Sequence, residues 1–144
     1  MDSNIDKLTS KYPQLFSEEG LKHGVECSDG WAQLIDDALA CIQSHEKSLT
    51  DYYQYKIQHG DTQQQAEFTQ KLADMQPTKF AQIKSKFASL RMYYDGGDAY
   101  TAGVTSLAER LSERTCERCG DPGVVRTKGW WRTLCDEHHV IKIQ

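Results

Sequence analysis

Apolar positions fall at helical spacing most clearly after Asp29-Gly30, where Trp31, Leu34, Ile35, Ala38, Leu39 and Ile42 form one stripe. This pattern predicts an amphipathic helix over about 30–48, with Ser28 or Asp29 as N-cap. Asp36 and Asp37 fall on or near its wet face, and as sequence neighbours they do not face each other as an acid/base pair. Tyr52, Tyr53, Tyr55 and Ile57 either continue this helix or open a new element before the break at His59-Gly60-Asp61. From Thr62 the chain is polar and rich in glutamine, with Ala66, Phe68, Leu72 and Met75 as sparse apolar positions. That spacing predicts a surface helix over about 62–75, ended before Pro77.

The period then changes. Leu90, Met92 and Tyr94 alternate with Arg91 and Tyr93, and Ile83, Ser85 and Phe87 alternate with outward Lys84 and Lys86. Two strands or one bent strand fit, closed by turn chemistry at Asp95-Gly96-Gly97. Asp98 caps a second helix, over about 98–114, whose apolar face is read as Tyr100, Val104, Leu107, Ala108 and Leu111. Residues 1–26 read as a short helix or irregular arm docked by Tyr12, Leu15 and Phe16. The fold class expected is therefore α+β, with two main amphipathic helices on a small antiparallel sheet. Residues 1–114 form the body.

The last 30 residues carry the candidate chemistry. Cys116-x-x-Cys119 is answered by Cys135-x-x-His138, a spacing that lets two tight turns offer three thiolates and an imidazole to one tetrahedral cation. Zinc suits that donor set, and a shell filled by four protein ligands leaves no open position for a water nucleophile, so one structural Zn2+ is expected. Gly120 stands where the first turn needs a residue without Cβ, and His139 is an alternative to His138. A knuckle, a Val124–Leu134 hairpin and ligands at a helix start suggest a treble-clef-like module over 115–144, packed on the body. Of the two cysteines left over, Cys41 reads as a small core residue and Cys27 shows no activating neighbour.

Charge divides unevenly. The 144 residues carry a net charge of −4, and 38% hydrophobic content suffices for a core. Residues 1–60 hold 5 basic and 10 acidic groups, giving −5, whereas residues 110–144 hold 7 and 5, giving +2. The overall balance argues against a broadly nucleic-acid-binding surface. Locally, Arg126, Lys128 and Arg132 surround Trp130 and Trp131, a candidate partner surface on which one Trp is expected to face out. Arg110 and Arg114 are expected to pair with Glu113 and Glu117 on a helix surface. The polar, acidic start of the chain, the absence of a long apolar run and the reduced-thiol zinc spacing favour a cytoplasmic setting without a membrane. His23, His45 and His59 are scattered and no nucleophile motif is present, so no catalysis is expected.

Three stretches, taken together, carry a resemblance: Ser28-Asp29-Gly30-Trp31; Ile83 to Tyr94; and Thr115 to Gly120 followed by Gly129 to Cys135. In this order they resemble a family of small proteins encoded by tailed phages and prophages, most without an assigned activity, that end in a Cys3His zinc module. The resemblance covers about half the chain, and against it the longer, glutamine-rich stretch at about 50–78 of the body reads as an insertion. It implies a bacterial cytosol during infection and a role in binding a host or defence protein, as inhibitor or adaptor. Clustered tyrosines and tryptophans fit such an interface. The alternative is a nucleic-acid-binding zinc protein using the basic, Trp-bearing module.

Overall fold

The computed structural model describes residues 3–143, so Met1 and Asp2 of the arm and Gln144 of the zinc module lie outside it. The predicted helix after Gly30 is present and longer than its stripe: α3 runs Ala32–His59. Trp31, Ile35, Leu39 and Ile42 are fully buried along it. Neither Ser28 nor Asp29 caps it. The Asp29 carboxylate turns back and accepts the N–H groups of Asn4 and Ile5, pinning the start of the N-terminal arm. The tyrosines at 52, 53 and 55 continue α3. Its far half pairs with α4 (Thr62–Asp74), which opens on a reciprocal Asp61/Gln64 capping box. Phe68 is buried between the rings of Tyr52 and Tyr53, with centroids 5.6 and 5.8 Å away, so the polar stretch has its own aromatic anchor.

The arm is folded. Helices α1 (Leu8–Lys11) and α2 (Glu18–His23) lead to a two-residue strand, β1 (Val25–Glu26). Tyr12 donates its hydroxyl to the Asp36 carboxylate, which also accepts Lys11 at 2.8 Å. Partial burial opposes the charge on Asp36, but these two hydrogen bonds outweigh it and hold the carboxyl below its ordinary range. A depressed pKa contributes stability above the unfolded value, about 3.9, that is lost as pH falls through the folded value. Asp36→Asn is therefore expected to flatten the acid side of the stability–pH curve and to speed tryptic cleavage at Lys11. An unchanged acid limb would refute this anchor.

Strands β2 (Lys79–Lys86) and β3 (Ser89–Asp95) form the expected antiparallel pair. The sheet is not wholly antiparallel, however, because β1 joins β2 in parallel. Phe16 bridges to Phe80 and Val25 pairs with Ile83, so the arm runs alongside β2 in the same direction, with α2 bulging between the two contacts. Phe87 does not continue the inward set with Ile83. With Ala88 it forms a two-residue turn in which both residues have positive φ (52° and 68°), and its ring is 66% exposed.

Helix α5 (Ala99–Ser112) is capped by Asp98 as expected, but its buried face is one step round from the predicted one. Thr101, Thr105, Ala108 and Ser112 are buried, while Tyr100, Leu107 and Leu111 are exposed. The reason is the free edge of β3. Leu90 N–H goes to Ser112 Oγ at 2.9 Å and Met92 N–H to Glu109 at 3.0 Å, so this helix face supplies acceptors to an otherwise unpaired strand edge. Cys41, expected in the core, is exposed on α3. No described helix is long and apolar enough to cross a membrane.

Candidate functional site

After α5 the chain makes a knuckle at Cys116–Cys119, a hairpin of β4 (Val124–Arg126) and β5 (Arg132–Leu134), and a final helix, α6 (Asp136–Ile143). The knuckle is shaped by Gly120 at φ +87° and closed by the Gly120 N–H on the Cys116 carbonyl at 2.9 Å. Cys135 precedes α6 and His138 lies on its first turn, so a strand end and a helix start deliver the second ligand pair.

The donor atoms of Cys116, Cys119, Cys135 and His138 all lie within 4.8 Å of one another. Cys119 Sγ is 3.8 Å from Cys135 Sγ, and His138 Nδ1 is 3.6 Å from Cys116 Sγ and 3.2 Å from Cys135 Sγ. A tetrahedral zinc with bonds of about 2.3 Å to sulfur and about 2.0 Å to nitrogen needs S–S edges of about 3.8 Å and S–N edges of about 3.5 Å. The four side chains thus fit one zinc-type ion. His139, the alternative ligand, is outside the cluster. Burial disfavours the Cys116 thiolate, but the backbone N–H groups of Cys135, Cys119 and Arg118 outweigh it and lower its pKa to about 6. At Cys119 the Asp121 N–H favours the thiolate, yet desolvation and the neighbouring thiols raise the pKa to about 11. A divalent cation would remove this penalty on forming a second thiolate beside the first.

The knuckle is built into the body through Ser28-Asp29-Gly30-Trp31. Gly30 donates its N–H to the Glu117 carbonyl at 2.7 Å, and Trp31 Nε1 donates to the Thr115 carbonyl at 2.8 Å. A Cβ on Gly30 would stand 2.2 Å from the Cys116 carbonyl oxygen, so only glycine permits this approach. Glu117, only 4% exposed, takes the Ser28 N–H at 3.1 Å, the Ser85 hydroxyl at 3.2 Å and Arg132 Nε at 3.5 Å. Its expected surface pairing with Arg114 is therefore wrong. Beside it, burial first and then the charges of Glu117 and Asp29 push the Cys27 thiol well up, keeping it protonated.

Comparison of the chain with protein-family models, curated proteins and solved structures gave no match.

The expected partner surface divides in two. Arg126 folds onto the Leu134 carbonyl and Asp136, and Arg132 onto Glu117 and Ser28, so these two cations serve the chain itself. Lys128 remains exposed. Trp130 and Trp131 lie on the turn before β5, not on the strand, and both are exposed, at 79% and 48%. Phe87, which sequence reading assigned to the sheet interior, meets Trp131 edge to face at 6.3 Å. Together the three rings wall a cleft of about 420 Å³, completed by Ser85, Lys86 and Gly129. Elsewhere, His45 contacts the Asp98 carboxylate at 2.7 Å and stacks on Tyr100, but that carboxylate already caps α5.

Proposed function

We propose that the chain is a zinc-stabilised, non-catalytic binding protein that engages a protein partner through the Phe87–Trp130–Trp131 cleft. One observation carries this reading: three large aromatic rings from two separate hairpins are held in solvent around one concavity. Exposed Trp in an apolar hollow is the usual anchor chemistry of protein interfaces. The metal is read as one structural Zn2+ in a treble-clef-like module, given the closed Cys3His donor set and the knuckle–hairpin–helix order. Reduced thiols and the resemblance to phage-encoded proteins support a bacterial cytoplasm and a host or defence protein as the partner, with the chain acting as inhibitor or adaptor. The nucleic-acid reading loses support, because Arg126 and Arg132 are engaged internally.

The test is affinity capture from bacterial lysate by the tagged chain, with half the eluate treated with nuclease. A dominant protein that survives nuclease and is lost with Trp131→Ala, while the variant keeps its metal and melting temperature, is the expected result. Partners lost on nuclease treatment, or retained in full by Trp130→Ala and Trp131→Ala, would overturn the reading.

A further inference from the structure

We propose that this cleft receives one large apolar side chain of an acidic peptide segment, whose carboxylates lie over a cationic strip formed by Lys84, Lys86 and Arg91. The inference rests on the protein-binding reading above and specifies the partner's chemistry.

The strip follows from register. Lys84 stands directly across from Arg91 in the antiparallel pair, on the sheet face opposite buried Ile83 and Leu90. Lys86 lies two residues further along the same strand face and lines the cleft. Among the described residues none of the three has an ion-pair partner; Glu26, in register with Lys84, makes no ion pair with it. In a chain of net charge −4 these adjacent unpaired cations are a local feature, and like charges left side by side are a cost that an anionic partner removes.

The anchor pocket follows from strain. A turn with both central residues at positive φ favours Asn-Gly, yet here it holds Phe87 and Ala88. Burial does not compensate Phe87, whose ring is mostly in solvent. What holds the turn is the zinc hairpin: Thr133 donates its hydroxyl to the Ala88 carbonyl at 2.6 Å. A strained turn that presents a phenyl ring outward, clamped by a metal-stabilised module, is a ring kept for a ligand.

The shape selects a peptide over a single nucleic-acid strand. Phe87 and Trp131 meet at 71°, making walls of a hollow and not the flat faces on which bases stack. A hollow of about 420 Å³ suits one Leu, Phe or Trp. The partner docks through side chains and not as an added strand on β3, since the outward N–H groups of Leu90 and Met92 are taken by α5.

A displayed library of random dodecapeptides selected on the zinc-loaded full chain tests this. Enriched sequences are expected to carry one Trp, Phe or Leu flanked by Asp or Glu. A synthetic peptide of that kind is expected to bind at least tenfold more weakly to Phe87→Gly and to the Lys86→Glu/Arg91→Glu variant, and more weakly as salt rises. Phe87→Gly suits the turn geometry, so its loss of binding does not reflect misfolding. Uncharged or basic peptides that still require Trp131 would overturn the acidic partner and leave the protein-binding reading standing. Peptides indifferent to Phe87 and Trp131, no enrichment at all, or tighter binding of a twelve-nucleotide oligothymidylate would overturn both.

Discussion

Cys135→Ser is expected to release the metal, unfold the segment from Thr115 onward and abolish partner binding, while most of the helical signal of the body survives. Apart from its docking contacts on the body, the segment has little else to hold it. Its hairpin is three residue pairs long and α6 spans eight residues, each too short to persist alone in water. Cys116 and Leu134 are the buried apolar side chains among its described residues, whereas the body buries Trp31, Ile35, Leu39, Ile42, Phe80, Ile83 and Leu90 in one cluster. A structural zinc contributes about 10–16 kcal/mol of apparent binding energy, which a few buried side chains cannot replace. Substituting one ligand leaves a weaker three-donor site and a polar hydroxyl among thiolates. Loss of the hairpin also frees Thr133 from Ala88, so the cleft disassembles although Phe87 lies outside the metal module. Metal content by mass spectrometry, melting temperature and near-ultraviolet dichroism of the tryptophans would follow all three effects. One equivalent of zinc with an unshifted melting temperature would sink the structural assignment.

The parts legible in the sequence were those with local causes. Ligand spacing depends on a few adjacent residues, and Cys116, Cys119, Cys135 and His138 do converge. The α3 stripe and the Asp98 cap are likewise set within one or two turns. The departures came from pairings between residues that periodicity along one element does not show. Periodicity marks Tyr100, Leu107 and Leu111 as a core face, but α5 must face a strand edge that needs acceptors, so Thr101, Thr105 and Ser112 turn inward. Phe87 fits a strand pattern and sits in a turn because Lys86 pairs with Ser89. Arg126 and Arg132 look like a basic surface until Asp136 and Glu117 are placed beside them. The short Ser28-Asp29-Gly30-Trp31 run was visible as a motif, but its purpose required the knuckle it receives. The sequence does carry one sign of this docking: Glu117 sits inside the Cys-x-x-Cys loop, where a side chain faces either solvent or the body.

Glu117→Ala is expected to destabilise the metal-loaded chain by about 3 kcal/mol, the lower end for losing one partner of a buried ion pair. The lower end applies because Arg132 keeps 21% side-chain exposure and so regains some hydration. The Ser28 N–H would also lose its acceptor at the start of the cradle that receives the knuckle. Glu117→Gln keeps one acceptor oxygen, enough for the Ser28 N–H, and its amide NH2 can donate to the Ser85 hydroxyl, but the charge facing Arg132 is lost. It is expected to cost less than Glu117→Ala, about 1–2 kcal/mol. Neither variant touches a ligand, so both should retain one equivalent of metal. That separates docking from coordination: Cys135→Ser loses the metal and the folded module together, whereas Glu117→Ala loses stability with metal in place. Denaturant midpoints at saturating zinc would read the difference. A Glu117→Ala chain within about 0.5 kcal/mol of the parent, the range of an ordinary surface change, would mean that Gly30 and Trp31 alone seat the knuckle. If the expected loss is found, the carboxylate is what couples the metal module to both α3 and β2. The aromatic cleft, built across the same junction, should then lose affinity in step with stability.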